Sequence, residues 1–185
     1  MNSINIKSSL YDYEVNFVDD VKKEINNVFD AQKNGVSIIH QELVLVPYMS
    51  VAENIFLGRE PLKNGLIDKV KMEKETKELI NAYHMSFSPD TKVASLTIAQ
   101  QQMVEIIKAI SFNSKILVMD EPTSSISDKE VEFLFGIIRT LTKKGVGIIY
   151  ISHKLHEVPQ ITDTITVLRD GKLVGKVNTE LMKGF

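Results

Sequence analysis

The 185-residue chain carries 22 basic and 24 acidic side chains, and this net charge of −2 does not suggest nucleic acid or anionic lipid as a partner. The absence of cysteine excludes disulfides, cysteine-ligated zinc and a thiol nucleophile. A hydrophobic fraction of 43% suffices for a packed interior, yet the apolar runs are shorter than the roughly 18 residues of a spanning helix. We therefore expect a soluble globular chain, with room for one domain or for a core with one inserted subdomain.

The first half of the chain predicts one strand followed by helices. Residues 1–30 show no sustained period and predict no element. After a turn signal at Asn34-Gly35, the apolar residues 36–39 predict a short buried strand that ends in His40-Gln41-Glu42. The pattern from Tyr48 to Ala94 is helical, with glycine and proline as punctuation. A further helix is predicted from one buried stripe at helical spacing, formed by Met103, Ile106, Ile107 and Ile110.

The run from Lys115 to Ser125 is the most informative stretch. Four apolar residues followed by Asp120 and Glu121 predict a buried strand that delivers two carboxylates to its C-terminal tip, where α/β proteins bind ligands. The first acid is suited to hold Mg²⁺, directly or through water, and the second to orient or deprotonate an attacking water. A buried strand that simply leads into a turn has the same pattern, so this stretch alone leaves both interpretations open.

The remaining elements follow closely. Ser127 and Glu130 have the spacing of a capping box, in which Ser127 accepts from the Glu130 amide and Glu130 reaches back. The helix that begins there has an apolar face, formed by Val131, Leu134, Phe135, Ile138 and Leu141. Residues 146–151 predict another strand, which delivers His153 to the same edge as the acids. Asp170-Gly171 is a two-residue hairpin signal between residues 165–168 and 172–176.

Polar sites thus follow strands or begin a helix in a fixed order along the chain. This order resembles that of the nucleotide-binding domain of ABC transporters over residues 31–176. The matching motifs are the Q-loop at Gln41, the signature segment at Leu96, Thr97, Ile98, Ala99 and Gln100, Walker B at residues 116–121, the D-loop at residues 124–127 and the switch histidine at His153. His40, His84 and His156 are interpreted as ordinary core or surface histidines.

Four further segments resemble the first half of the tandem ATPases that energise importers of monosaccharides such as ribose, galactose, arabinose and xylose. They are residues 40–43, 53–60, 101–106 and 167–171. The resemblance implies an α/β fold, an incomplete P-loop NTPase-like ABC ATPase core with an inserted helical subdomain. Residues 1–44 and 114–185 are then expected to form the partial core, and residues 45–113 the helical subdomain that carries the signature.

The resemblance also implies ATP and Mg²⁺ as cofactors. Asp120 is expected to hold Mg²⁺, Glu121 to act as general base, and His153 to contact the γ-phosphate. Gln41 is expected to sense Mg²⁺ and water and to link the site to a membrane partner. The residues expected to meet an ATP held by an opposing domain are Leu96, Thr97, Ile98, Ala99, Gln100, Ser124 and Ser127.

Two departures from the family pattern stand out. The common signature has Ser at the position of Thr97 and Gly at that of Ala99, so the Ala99 methyl is expected to hinder phosphate approach or to disfavour a positive φ. The sequence also contains no Gly-x-x-x-x-Gly-Lys-Ser/Thr, the loop that cradles the β-phosphate. We therefore expect this chain alone neither to bind Mg-ATP tightly nor to hydrolyse it, and to expose an apolar edge at residues 146–151.

The expected partners are membrane permease subunits, a second ABC domain and, indirectly, a periplasmic or extracellular sugar-binding protein, but no nucleic acid. This places the chain peripherally at the cytoplasmic face of the cell membrane, with residues 48–60 near the docking site of a permease coupling helix. One alternative is a degenerate, non-catalytic domain that completes the ATP site of an intact partner in trans. Another is an ABC ATPase of DNA repair or translation, which the lack of cysteines and the sugar-type segments disfavour.

Overall fold

The computed structural model describes residues 2–7, 12–17 and 28–179. In chain order the elements are β1 (Asn2–Lys7), β2 (Asp12–Phe17), α1 (Val28–Lys33), β3 (Val36–Ile39), α2 (Val51–Phe56), β4 (Leu62–Lys63), β5 (Leu66–Ile67), α3 (Lys69–Ala82), α4 (Ile98–Ile110), β6 (Ile116–Asp120), α5 (Asp128–Lys143), β7 (Gly147–Ile151), α6 (Val158–Ile161), β8 (Thr164–Arg169) and β9 (Lys172–Asn178), with a 3₁₀ turn at Val93–Ser95. No helix among these described ranges is both long and apolar enough to cross a bilayer.

A parallel sheet in the order β3-β6-β7 organises the described core. Val118 in the central strand lies opposite Ile38 on one side and Ile149 on the other. Because the three strands are parallel, their carboxyl ends meet at one edge of the sheet. This edge carries the loops that follow Ile39, Asp120 and Ile151. The three strands predicted from apolar runs are confirmed.

One face of the sheet packs against α4 and α5. The buried stripe of α5 consists of Val131, Leu134, Phe135, Ile137, Ile138 and Leu141, so the predicted apolar face is confirmed. It shares a cluster with Leu117 and Met119 of β6 and with Ile106 of α4. A second cluster joins α2, α3 and α4, and it includes Val104 and Ile107. Since α4 contributes to both clusters, packing on two sides fixes the position of its N-terminus.

The other face of the sheet is sparsely covered by the described residues. Val36 and Val118 are buried there, whereas Ile149 and Ile151 are only partly buried. Within the described part of the chain, β7 is an edge strand that pairs with β6 alone. Parallel strands are usually covered on both faces and are therefore apolar on both. The described residues thus leave an apolar face of this sheet partly exposed. The sequence predicted such an exposed strand edge.

Two β-hairpins differ in how well the sequence predicted them. The β8–β9 hairpin turns at Asp170-Gly171, both with positive φ, as expected. The β4–β5 hairpin was missed, because residues 48–94 were assigned to helices with punctuation only. Its Asn64-Gly65 turn also has positive φ at both positions, which is the geometry of a tight hairpin. The turn chemistry therefore outweighs the helical pattern at this point.

The N-terminal residues were assigned no element, yet the backbones of β1 and β2 pair as antiparallel strands. The proposed division into core residues 1–44 and 114–185 and helical residues 45–113 stays a prediction. Residues 1, 8–11, 18–27 and 180–185 of those core segments lie outside the described residues.

Candidate functional site

Glu121 is the centre of a cluster at the carboxyl edge of the sheet. Its Oε1 lies 2.8 Å from Nδ1 of His153, and its Oε2 accepts a hydrogen bond of 3.2 Å from Nε2 of Gln41. The three side chains come from the loops after β6, β7 and β3, which are far apart in the sequence. A neutral His153 must therefore carry its proton on Nδ1 to donate to the carboxylate. The structure thus brings together three of the predicted site residues.

The backbone of Glu121 is unusual, and this determines where its carboxylate points. Its φ is +47°, a left-handed conformation that side-chain-bearing residues seldom adopt. The Glu121 amide continues the ladder of the sheet by donating to the Ile151 carbonyl at 2.9 Å, and its carbonyl accepts from the Ser124 amide at 3.1 Å. Such strain costs about 1–3 kcal/mol and is concentrated at functional sites. The chain turns sharply here, directly after β6 ends.

Asp120 is the last residue of β6 and is half-buried beside this cluster. Burial, together with the neighbouring charge of Glu121, raises the pKa of Asp120, while His40 opposes this shift. A cation placed here would relieve the repulsion between two adjacent carboxylates.

The donor set fits Mg²⁺ that arrives with phosphate rather than a dedicated metal cage. Asp120, Glu121 and Gln41 offer the hard oxygen atoms that Mg²⁺ prefers. Among the described residues no group of three or more His, Cys, Asp or Glu side chains is arranged to hold a metal ion by itself. Mg²⁺ sites commonly use one or two carboxylates and complete their coordination with water and substrate phosphates.

The predicted signature segment begins α4. Thr97 is the N-cap, and its hydroxyl accepts from the Gln100 amide at 3.2 Å while the Gln100 side chain accepts from the Thr97 amide at 3.0 Å. Leu96 is buried, and its carbonyl accepts from Gln101. Ile98 is 51% exposed, so the face beside the cap is apolar and open. The hydrogen bonds of Thr97 and Gln100 go to this turn and to Ser86, not to the Glu121 cluster.

The structure differs from the sequence-based expectation at Ala99. From the sequence, its methyl group was expected to hinder the approach of phosphate or to disfavour a positive φ. In the structure Ala99 lies in the first turn of α4, is not among the residues with positive φ and is 8% exposed. The methyl group packs inside the protein and requires no unusual backbone, so the expectation of a disfavoured positive φ is wrong.

Ser124 and Ser127 lie on the exposed turn between β6 and α5. Ser124 is anchored by its amide hydrogen bond to the Glu121 carbonyl. At the start of α5, the Glu130 carboxylate accepts from the Ser127 amide at 2.8 Å and from the Ser127 hydroxyl at 2.7 Å. The reach-back half of the predicted capping box is therefore present. The exposed turn is thus held to Glu121 at one end and to the start of α5 at the other.

A buried network that was not predicted from the sequence lies beneath the site. The carboxylate of Glu157, only 3% exposed, accepts from the Thr123 hydroxyl at 2.7 Å and from the Tyr150 hydroxyl at 3.1 Å. Nζ of Lys154 lies 3.3 Å from the same carboxylate and donates to the Thr123 carbonyl at 2.8 Å. Burial, followed by the charge of Glu157, raises the pKa of Tyr150. We call these four residues the Glu157 network. In the sequence, the one sign of this network was Tyr150, because a hydroxyl inside an apolar strand needs a hydrogen-bond partner nearby.

Comparison with known proteins identifies relatives by sequence. A family model described as ABC transporter matches residues 8–124. The xylose import ATP-binding protein of Thermoanaerobacter pseudethanolicus is 52% identical over 157 residues, which are 85% of this chain and 31% of the relative. The galactose/methyl galactoside import ATP-binding protein of Clostridium tetani is 49% identical over 163 residues, 86% of this chain and 32% of the relative. The chain thus spans about a third of the length of these relatives.

Solved structures show the same fold. A dimeric, post-hydrolysis ATP-binding cassette bound to ADP and Pi matches with a TM-score of 0.68 at 20% identity, over 84% of this chain and 68% of that one. The cbiO1 protein from Clostridium perfringens, part of an ABC transporter complex, matches with a TM-score of 0.69 at 20% identity, over 85% of this chain and 64% of that one. At such low identity the likeness is one of fold alone, and that fold is the P-loop NTPase-like one expected from the sequence.

Proposed function

Because the chain belongs to the ABC transporter family, we propose that it is an ATP-binding subunit, or part of one, of an ABC-type monosaccharide importer that couples ATP hydrolysis to sugar uptake. One observation carries the proposal: the Glu121 carboxylate is held between Gln41 and His153 at the edge of a parallel sheet. The names of the relatives, which concern xylose and galactose import, support the choice of a sugar importer.

In this proposal Glu121 accepts a proton from the attacking water. Its two oxygens are held by different donors, so the carboxylate is oriented before substrate arrives. His153 is 70% exposed at its side chain, and its Nε2 is not the atom that contacts Glu121. When both ring nitrogens carry protons, Nδ1 donates to Glu121 and Nε2 donates to a phosphate oxygen. Asp120 and Gln41 would hold Mg²⁺, which would supply positive charge against the transferring phosphate. Thr97 and the first turn of α4 offer a hydroxyl and amides to an anion on a neighbouring domain.

Nucleotide binding by the chain alone is a separate part of the proposal. The sequence contains no Gly-x-x-x-x-Gly-Lys-Ser/Thr, so the amide nest, the lysine and the hydroxyl that usually hold the phosphates and Mg²⁺ are missing from it. We expect calorimetry on the purified chain to detect no tight binding of Mg-ATP. A submicromolar dissociation constant would overturn this part, whatever the outcome for the importer.

The importer role is tested by complementation. Residues 31–176 would replace the matching segment of the xylose import relative in cells that lack their own copy, and uptake of labelled xylose would be measured. We expect uptake to persist with the graft and to be lost with Glu121→Gln. Glu132→Gln, an exposed carboxylate on α5, is the matched control and should leave uptake unchanged. A stable graft that supports no uptake would contradict the proposal.

The proposed partners are permease subunits, a second ABC domain and, indirectly, a sugar-binding protein, with the chain at the cytoplasmic face of the membrane. Val44 is 63% exposed and Tyr48 86% exposed, and they precede α2, whose start is fixed by Ser50 and Glu53. Exposed aromatic and aliphatic side chains on a rigid support suit the docking of a permease helix. In the graft, Tyr48→Ala should weaken co-purification with the permease, while Tyr48→Phe should not.

A second candidate function is completion of a partner's ATP site in trans by a non-catalytic chain. It is favoured by the exposed, fully formed cap at Thr97 and Gln100, which needs no phosphate loop of its own. Mixing the chain with an intact relative discriminates between the two functions. The second predicts stimulated hydrolysis that is lost when Thr97 and Gln100 are both replaced by alanine, and the first predicts no stimulation.

A further inference from the structure

We propose that Glu157 is a positioning residue that fixes the separation of Glu121 and His153 by tying the turn after β6 to the turn after β7. The inference rests on the proposed function, because it assigns a role within the same site. Glu157 itself contacts neither Glu121 nor His153 among the hydrogen bonds of the described residues. It acts through Thr123 and Lys154, which are close neighbours of those two residues in the chain.

Two polar links connect the turn after β6 to the turn after β7. Thr123, two residues after Glu121 and 1% exposed, donates its hydroxyl to Glu157 at 2.7 Å. Lys154, the residue after His153, pairs with Glu157 at 3.3 Å and donates to the Thr123 carbonyl at 2.8 Å. One link therefore runs through a side chain and the other through the backbone of Thr123. Together these two links restrain the position of one turn relative to the other.

Burial decides which contacts hold the site together. The direct pair between His153 and Glu121 is largely open to solvent, with side-chain exposures of 70% and 25%. Hydrogen bonds that are this exposed contribute little to stability, because both groups are well hydrated when apart. Glu157 is 3% exposed, and hydrogen bonds to a buried charge are about twice as strong as neutral ones. The ladder of β6 and β7 ends at the hydrogen bond from the Glu121 amide to the Ile151 carbonyl. Beyond that point the buried network, rather than the exposed pair, keeps the Glu121 and His153 side chains in place.

Tyr150 extends the network into the core. Its hydroxyl donates to Glu157 at 3.1 Å, and its ring meets Phe135 of α5 edge-on, with centroids 6.2 Å apart and planes at 76°. Because Phe135 is fully buried, this contact anchors the carboxylate to the packed core. Small displacements of a positioned group reduce rates strongly, so such an anchor has a functional consequence.

The imidazole of His153 provides a readout that needs no nucleotide. The ¹⁵N shifts of its two ring nitrogens identify the tautomer in the whole chain at a pH where the ring is neutral, and His153→Gln assigns the signals. In the wild type we expect the Nδ1–H tautomer, which donates to Glu121. In Glu157→Ala we expect this signature to be lost, while Glu132→Ala, on the exposed face of α5, leaves it intact.

Folding is monitored by amide exchange in β6 and β7. If Glu157→Ala unfolds the chain, Thr123→Val and Lys154→Met remove one link each, and each should shift the His153 signals partway. An unchanged signature in a folded Glu157→Ala chain would overturn the proposal, as would a wild-type His153 without the Nδ1–H tautomer. Loss of fold in all three variants would also overturn it, because the network would then support the fold rather than the site.

The xylose-import graft separates this inference from the proposed function. There, Glu157→Ala should lower kcat about ten- to a hundredfold with little change in KM for ATP, and Glu157→Gln should restore part of it. An inactive graft with the expected change in His153 tautomer would refute the function and retain the positioning role. An active graft that tolerates Glu157→Ala would refute the positioning role and retain the function.

Discussion

Arg59 joins the end of α2 to the end of α4, and replacing it tests how the helical part of the fold is held. Its guanidinium lies between two rings, 4.9 Å from the centroid of Phe56 and 4.1 Å from that of Phe112. It donates to the Ile55 carbonyl at 2.8 Å and to the Ser111 carbonyl at 3.3 Å, and it also contacts the Ser111 hydroxyl. Burial lowers the pKa of this guanidinium.

The expected cost of Arg59→Met follows from these contacts. Each ring contact of a half-buried cation is worth about 1 kcal/mol, and the hydrogen bonds from a charged donor add about 1–2 kcal/mol after solvation is counted. The Nε atom is buried without a hydrogen-bond partner, so its removal offsets about 1 kcal/mol of this loss in stability. Methionine also keeps part of the apolar contact with both rings. We therefore expect the free energy of unfolding to fall by about 2 kcal/mol.

Urea unfolding of the whole chain, followed by circular dichroism, measures this change. Arg139→Met is the matched control, because that guanidinium is exposed and 6.0 Å from the Phe135 ring, at the limit of a cation–π contact. We expect the control to lie within about 0.5 kcal/mol of the wild type. Equal effects of the two substitutions, or none at Arg59, would refute the assignment of Arg59 as the link between the helices.

Three further predictions concern packing, polar satisfaction and pH. Phe135→Ala should lower the free energy of unfolding by about 3–5 kcal/mol in urea titrations, because it opens a cavity at a fully buried position; a loss below about 1 kcal/mol would contradict this. Asn54→Ala should cost about 2–3 kcal/mol, since its buried amide satisfies both backbone groups of Val46; Asn54→Asp, which sets a buried carboxylate against the Val46 and Ser50 carbonyls, should cost at least as much. The hydrogen bond from the Ser50 amide lowers the pKa of Glu53; its stabilisation is therefore present above the ordinary glutamate pKa and lost as the pH falls through the lowered value. Plotted against pH, the free energies of unfolding of the wild type and of Glu53→Gln should therefore converge in acid. A constant difference between them at all pH values would contradict this.

The strands and helices of the core were predictable because local patterns and tertiary packing agree there. The apolar runs at 36–39, 116–119 and 146–151 correspond to β3, β6 and β7, of which β3 and β6 are largely buried and β7 is partly buried. The stripe of α5 is the one that its spacing predicts. The β4–β5 hairpin was not predicted, since two residues per strand carry no usable period and only the turn marks it. Edge and turn geometry, rather than hydrophobicity, decide such short elements.

The site was predictable in part for a topological reason. Gln41, Glu121 and His153 each follow a strand, and parallel strands bring such positions to one edge, as the hydrogen bonds of Glu121 show. The Glu157 network was not predictable, because a buried carboxylate looks like any surface glutamate until its partners are placed. The wrong expectation of a positive φ at Ala99 arose because the sequence does not show that this residue lies in the first turn of α4. Hindered approach of phosphate at this methyl group stays a prediction.

We propose that Glu121, as held by Gln41 and His153, is the base in ATP hydrolysis. The most direct measurement is the single-turnover rate of ATP cleavage by the xylose-import graft, compared with its Glu121→Gln and Glu132→Gln forms at equal nucleotide occupancy. We predict a loss of at least about a hundredfold for Glu121→Gln and no change for Glu132→Gln. Equal rates for all three proteins would contradict the claim.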